Sequence, residues 1–147
     1  MPATIHASAV LVGPRAVLIR GPSGSGKSRL AFDLISAAGG SLRFARLVAD
    51  DRAELETAAG RLLVRPAPAL AGLIEVRGLG IRRLPYEPVA VVGLVVDLAA
   101  ADAQRLPAPE QTRVTIDGIA LARIAIAPGK PALAPVIAAL HLPESAV

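Results

Sequence analysis

The sequence predicts an α/β fold, and three observations predict it. A short apolar run, Ala16–Ile19, leads into the Gly-rich stretch RGPSGSGKSRL (Arg20–Leu30), and an amphipathic segment follows. A second apolar run, LVADD (Leu47–Asp51), ends in two aspartates. Further apolar runs of strand length recur along the chain, separated by Gly, Pro and Asp-Gly breaks.

The elements follow in order. SAVLVG and AVLIR read as buried strands around a Gly13-Pro14-Arg15 turn. In KSRLAFDLISAAGG, Leu30, Ala31, Leu34, Ile35 and Ala38 have helical spacing, and Gly39-Gly40 supplies a stop. RLVADDR is a strand. AELETAAGRLLVR reads as a hairpin turning at Ala59-Gly60. LIEVRGLGIRRL reads as a strand end or a loop broken by two glycines, and VAVVGLVVDL as a buried strand. RVTIDGIALARIAIA is a hairpin turning at Asp117-Gly118, and ALAPVIAAL a helix despite Pro135. Pro66-Ala67-Pro68 and Pro107-Ala108-Pro109 read as surface turns. No repeat or linker divides the chain, so one domain is expected over residues 1–147.

Composition narrows the function. Apolar residues make up 53% of the chain but aromatics only 2%, so the core must be built from Ala, Val, Leu and Ile. Without cysteine, a disulfide frame and a thiolate zinc site are excluded. Two distant histidines, His6 and His141, argue against a His-rich metal site. The N-terminal MPATIHASAV has no basic region before a long apolar stretch, so no signal peptide is expected. The longest apolar run, VAVVGLVVDLAAA, is too short to span a bilayer and carries Asp97. A soluble cytoplasmic protein without a membrane partner is the expectation.

The net charge of +4 comes from scattered arginines: Arg15, Arg20, Arg29, Arg43, Arg46, Arg52, Arg82 and Arg83. With few aromatics to stack on bases, no nucleic-acid partner is expected. The charge reads as a solvated surface or as mild attraction for an anionic ligand or acidic partner.

The loop carries the first chemistry. Gly21, Pro22, Ser23, Gly24, Ser25, Gly26, Lys27 and Ser28 fit G-x-x-x-x-G-K-[ST], the phosphate-binding P-loop pattern. Glycines let successive N–H groups turn toward phosphate oxygens. The positive end of the following helix faces the same way. Lys27 is expected to reach the β- and γ-phosphates, and Ser28 to ligate Mg²⁺. A nucleoside triphosphate with Mg²⁺ is therefore the expected ligand pair.

Asp50 and Asp51 resemble a Walker B element, at the carboxyl end of a strand where α/β sheets place their ligand crevice. One can support the Mg²⁺ shell while the other orients an attacking hydroxyl and accepts its proton. Two turn-forming aspartates after a strand is the plainer alternative. In LIEVRGLGI, Glu75 is a candidate metal ligand or an exposed strand residue.

Three blocks in one order, GPSGSGKS, LVADD and IEVRGLGI, resemble the catalytic domain of HPr kinase/phosphorylase. The resemblance runs from about His6 to the last helix and is to the short, catalytic-domain-only forms. It implies the P-loop fold shared with phosphoenolpyruvate carboxykinase, with a mixed sheet and flanking helices. It implies an ATP-dependent serine kinase acting on HPr, the phosphocarrier of the sugar phosphotransferase system, with a reverse activity and a homo-oligomer, a hexamer in that family. His6, by itself a plain surface residue, matches the family's catalytic histidine. Lys27 matches the phosphate-contacting lysine, Ser28 and Glu75 the magnesium ligands, Asp51 the residue that accepts the serine proton, and Asp50 its neighbour. Arg105, in QRLPAPEQT, matches a catalytic arginine, although Gln104 and Pro107 replace the flanking Asp and Gly.

Two departures stand out. The family's late Pro-Val-Arg-Pro-Gly-Arg segment reads AIAPGK here, so Ala127 and Lys130 replace two arginines. Loss of a guanidinium removes a bidentate phosphate clamp, which puts the dephosphorylating activity in question. SLRFAR lengthens the stretch before LVADD. A small-molecule kinase and a catalytically weak nucleotide-binding regulator are the alternative functions.

Overall fold

The computed structural model describes residues 3–142. Met1 and Pro2, part of the N-terminal stretch read for a targeting segment, lie outside that range, as do residues 143–147.

The strands are β1 (Ala3–Ile5), β2 (Ala7–Val12), β3 (Arg15–Arg20), β4 (Ala45–Ala49), β5 (Ala53–Ala58), β6 (Arg61–Pro66), β7 (Leu73–Val76), β8 (Gly80–Arg83), β9 (Ala90–Asp97), β10 (Arg113–Ile116) and β11 (Ile119–Ala125). The helices are α1 (Lys27–Ser36) and α2 (Leu133–His141).

One mixed sheet runs β1-β5-β6-β9-β3-β2-β4, with β11 and then β10 branching from β9. The branch arises because β9 is shared along its length. Its first half pairs antiparallel with β6, through Ala90 and Val91, and its second half pairs parallel with β11, from Leu94 to Asp97. The sheet therefore curls around one apolar cluster that includes Ala9, Leu18, Val48, Leu62 and Val95. The opposite face buries Val10, Val17, Ile19, Leu47 and Val96 against Leu30, Ala31 and Leu34 of α1 and Val136 of α2. Period-2 alternation produces the division: along β3, Ala16 and Leu18 face the curl, and Val17 and Ile19 face the helices. Truncating Leu18, which is fully buried, to alanine costs about 2–5 kcal/mol.

Topology brings the site together. β2 is antiparallel to both β3 and β4, so β3 and β4 are parallel and end at one edge, where β2 begins. β9 and β11 run parallel to β3 and end at the same edge.

The expected hairpins at Ala59-Gly60 and Asp117-Gly118 are present, and the first residue of each turn tolerates positive φ. Other elements differ from expectation. LIEVRGLGIRRL is a β7–β8 hairpin turning at Gly78, not a strand end or a loop. β1 was not expected, because three residues are too few to show alternation. Pro66 is buried at the end of β6, and a 3₁₀ turn at Pro68–Leu70 follows it. Pro135 falls in the first turn of α2, where its missing N–H breaks no helical bond.

Candidate active site

The loop from Gly21 to Ser28 joins β3 to α1. Gly24 and Gly26 have φ of 81° and 100°, a region that side chains other than glycine's rarely occupy. A Cβ on Gly21 would lie 2.5 Å from Ser25 Oγ and 3.1 Å from Leu98, so only glycine lets the loop close over the end of β9. The amides of Ser23, Gly24 and Gly26 donate to no backbone carbonyl among the described residues. Ser25 Oγ is buried and likewise has no partner among them. Lys27 Nζ lies across the loop, donating to Gly21 O at 2.8 Å and Pro22 O at 3.2 Å.

Asp50 is the centre of a buried polar cluster and is only 5% exposed. Its Oδ1 accepts from Ser8 Oγ and from Ser28 Oγ, each at 2.7 Å. Its Oδ2 accepts from the Glu75 amide at 3.1 Å. One carboxylate thus ties together β2, the start of α1 and β7. Because Ser28 donates its only proton to Asp50, its oxygen lone pairs are left to face a cation.

Asp51 behaves oppositely. Arg52 N–H donates to Asp50 O at 2.8 Å around Asp51, whose φ is 69°. This is a tight γ-type turn, a strained geometry of the kind that persists where its surroundings enforce it. Here Ser8 enforces it, since its Oγ also accepts from the Asp51 amide at 3.4 Å. The Asp51 residue is exposed.

His6 is an exposed residue between β1 and β2, at the same edge. The amide of its neighbour Ala7 donates to Asp51 O at 3.2 Å. Glu75 is exposed on β7, fixed to Asp50 through its own amide. The fold therefore gathers the loop, Asp50, Asp51, His6 and Glu75. Arg105 stands apart: it is exposed between β9 and β10, and its side chain bonds to no described residue.

Sequence reasoning missed Ser8, Asp97 and Arg123. Ser8 is the one polar residue of ASAVLV, and it is fully buried, which is the signal that would have found it. Asp97 ends the apolar strand β9 as Asp50 follows β4, beside the Gly-rich loop. Arg20 grips it with Nε at 2.8 Å and Nη2 at 2.9 Å, and Arg123 Nε adds a contact at 2.6 Å. Burial acts to raise the Asp97 pKa, but the hydrogen bonds and charges of Arg20 and Arg123 outweigh it and leave the carboxyl below its ordinary value. The Arg123 guanidinium is held still more firmly protonated, first by its hydrogen bonds to Asp102.

The residues present fit a bound nucleotide with Mg²⁺. The loop offers unpaired amides and an orphaned buried hydroxyl, and Ser28 offers an oxygen. No three His, Cys, Asp or Glu side chains converge among the described residues.

Fold and site together define a mixed α/β protein with a Gly-rich strand-to-helix loop set beside a strand that leads into an aspartate pair. The chain belongs to the HPr Serine kinase C-terminal domain family, whose model matches residues 2–86. It is 40% identical over 98 residues to the HPr kinase/phosphorylase of Neisseria meningitidis serogroup C / serotype 2a, covering 58% of this chain and 28% of that protein. It is 47% identical over 66 residues to that of an Exiguobacterium species, covering 44% of this chain and 19% of that protein. The chain thus spans well under half the length of these relatives. A solved structure, that of the Hpr(Ser) kinase/phosphatase from Coxiella burnetii, superposes with a TM-score of 0.72 at 25% identity, covering 94% of this chain and 88% of that one. Arg105 and the 125–130 segment lie beyond the residues that the family model matches. Among the described residues, no helix is long and apolar enough to cross a membrane.

Proposed function

We propose that the chain is an ATP- and Mg²⁺-dependent kinase that phosphorylates a serine of an HPr-type phosphocarrier protein. The observation that carries this reading is the division of labour in the aspartate pair. Asp50 is buried and holds Ser28, while the adjacent Asp51 is exposed at the end of the same strand edge. Membership of the HPr kinase C-terminal domain family supports the choice of acceptor.

The amides of Ser23, Gly24 and Gly26, the Ser25 hydroxyl and the Lys27 ammonium would hold the phosphates in this reading. Ser28 and Glu75 hold the cation, and Asp50 orients Ser28 toward it. Bound Mg·ATP supplies the transferable phosphoryl group and the charge that neutralises it. An Asp51 carboxylate oxygen takes the proton of the carrier's serine hydroxyl, and the serine oxygen is then the nucleophile. His6, one residue from the amide bonded to Asp51 O, flanks the same acceptor position. The exposure of Asp51 favours a macromolecular acceptor, since the carboxylate meets the incoming hydroxyl without an enclosing pocket.

The test is to incubate the protein with Mg·ATP and an HPr-type carrier and to map phosphate by mass spectrometry. Phosphate on one carrier serine is the expected result. Nucleotide binding without carrier phosphorylation would favour a nucleotide-binding regulator instead.

A further inference from the structure

The segment between β9 and β10 carries Arg105 and looks loosely attached, being exposed along most of its length. Its ends, however, are fastened. Gln111 closes it on itself: its Oε1 accepts from the Ala108 amide at 2.8 Å and its Nε2 donates to Asp102 O at 2.6 Å. Arg123, on β11, then grips the closed segment. Its Nη1 and Nη2 donate to the two Asp102 carboxylate oxygens at 2.9 and 3.0 Å, and Nη1 also donates to Gln111 O at 3.1 Å. The remaining donor, Nε, reaches Asp97 at 2.6 Å. Asp97 in turn is forked by Arg20, the residue immediately before Gly21.

This is a continuous ladder, Arg20–Asp97–Arg123–Asp102, from the base of the Gly-rich loop to the segment of Arg105. The charges alternate, and the Arg123 side chain is 12% exposed. Partial burial strengthens such pairs relative to surface ones, and the guanidinium fork fixes direction as well as distance. Lysine at 123 has one nitrogen and cannot reproduce the fork. None of these four residues belongs to the set that meets nucleotide or acceptor in the proposed mechanism.

We infer that Arg123 is a positioning residue that holds the Arg105 segment in fixed relation to the Gly-rich loop, with Asp102 as its grip on the segment and Asp97 as its anchor. The inference deepens, and for its kinetic arm rests on, the kinase reading given above, taken together with the expected role of Arg105 as a further catalytic residue of that reaction. The ladder sets where Arg105 stands when phosphate is transferred. It leaves the loop's own grip on nucleotide unaffected, because the Arg20–Asp97 fork survives loss of the outer rung.

Asp102 is the residue to vary, since its side chain is 47% exposed and Arg123 keeps its bond to Asp97 when the Asp102 carboxylate is lost. The experiment compares parent, Asp102→Asn and Asp102→Glu in two measurements. The first is hydrogen exchange at amides 103–112 without nucleotide. Asp102→Asn should speed it severalfold there and nowhere in β3, β9 or α1, and Asp102→Glu should restore the parent rate. The second is nucleotide titration with single-turnover transfer to the carrier. Asp102→Asn should keep Mg·ATP affinity within about twofold while transfer falls by about 10–10²-fold, the scale of a misplaced group. Unchanged exchange at 103–112 in Asp102→Asn would overturn the clamp, whatever the protein's activity. Loosened exchange with parent-rate transfer would overturn its positioning role. A parent that transfers no phosphate would reject the kinase reading and with it the positioning role, while the exchange measurement still decides the clamp.

Discussion

Ser28 donates its hydroxyl proton to Asp50 at 2.7 Å, joining the first turn of α1 to the end of β4. Through this bond the Gly-rich loop and the aspartate pair act as one unit. Ser8, from β2 between them, makes a second 2.7 Å bond to the same carboxylate oxygen.

Lys27 should matter for binding as well as for rate. Its ammonium is the one side-chain cation bonded within the loop. Lys27→Ala is expected to weaken Mg·ATP binding sharply and abolish transfer. Calorimetry showing parent affinity would remove Lys27 from the phosphate site.

Ser8 should matter for stability first. Ser8→Ala removes a buried, charge-assisted bond to Asp50 and the acceptor of the Asp51 amide. The expected loss is about 1–3 kcal/mol in unfolding free energy. Denaturant titration measures it. A loss within error of zero would mean that Asp50 is held by Ser28 and the Glu75 amide alone.

The pH dependence of the ladder has a definite sign. Asp97 has a folded-state pKa below its ordinary value of 3.8. Its contribution is therefore complete above that pH and is lost as pH falls through the folded value. The stability gap between parent and Asp97→Asn should stay level from about pH 8 to about pH 5 and close at lower pH. A gap that instead closed near neutrality would assign the effect to another group.

Much of this was legible in the sequence. Strands β2, β3, β4 and β9 announce themselves as apolar runs, and the loop by its spacing of glycines and lysine. The place of Asp50 and Asp51 at a strand's carboxyl end beside the loop followed from strand-end logic, but the bond from Ser28 to Asp50, and which carboxylate is buried, did not. That depends on the γ-type turn at Asp51, which tertiary bonds from Ser8 and the Ala7 amide hold. The β7–β8 hairpin was missed because Ile81, Arg82 and Arg83 are all exposed and give no alternation. The ladder was invisible because Arg20, the Asp97–Asp102 stretch and Arg123 are far apart in sequence and meet only when parallel β3, β9 and β11 end together.

Direction of transfer should follow residue 127. The turn from Ala127 to Lys130 ends β11 at the site's edge, and Ala100 N–H donates to Ile126 O there. With alanine in place of a phosphate-clamping arginine, forward turnover is expected to exceed phosphate-driven reversal. Ala127→Arg should raise the reverse rate. Equal forward and reverse rates in the parent, at saturating substrates, would show that this position does not set direction.

The most direct test of the division between Asp50 and Asp51 is single-turnover transfer from Mg·ATP to a carrier serine by Asp51→Asn, with nucleotide affinity measured on the same protein. Asparagine keeps the shape and removes the base. Transfer should fall by about 10²–10⁴-fold while Mg·ATP affinity stays at the parent value. Transfer at the parent rate, or a loss explained entirely by weaker nucleotide binding, would contradict Asp51 as the proton acceptor.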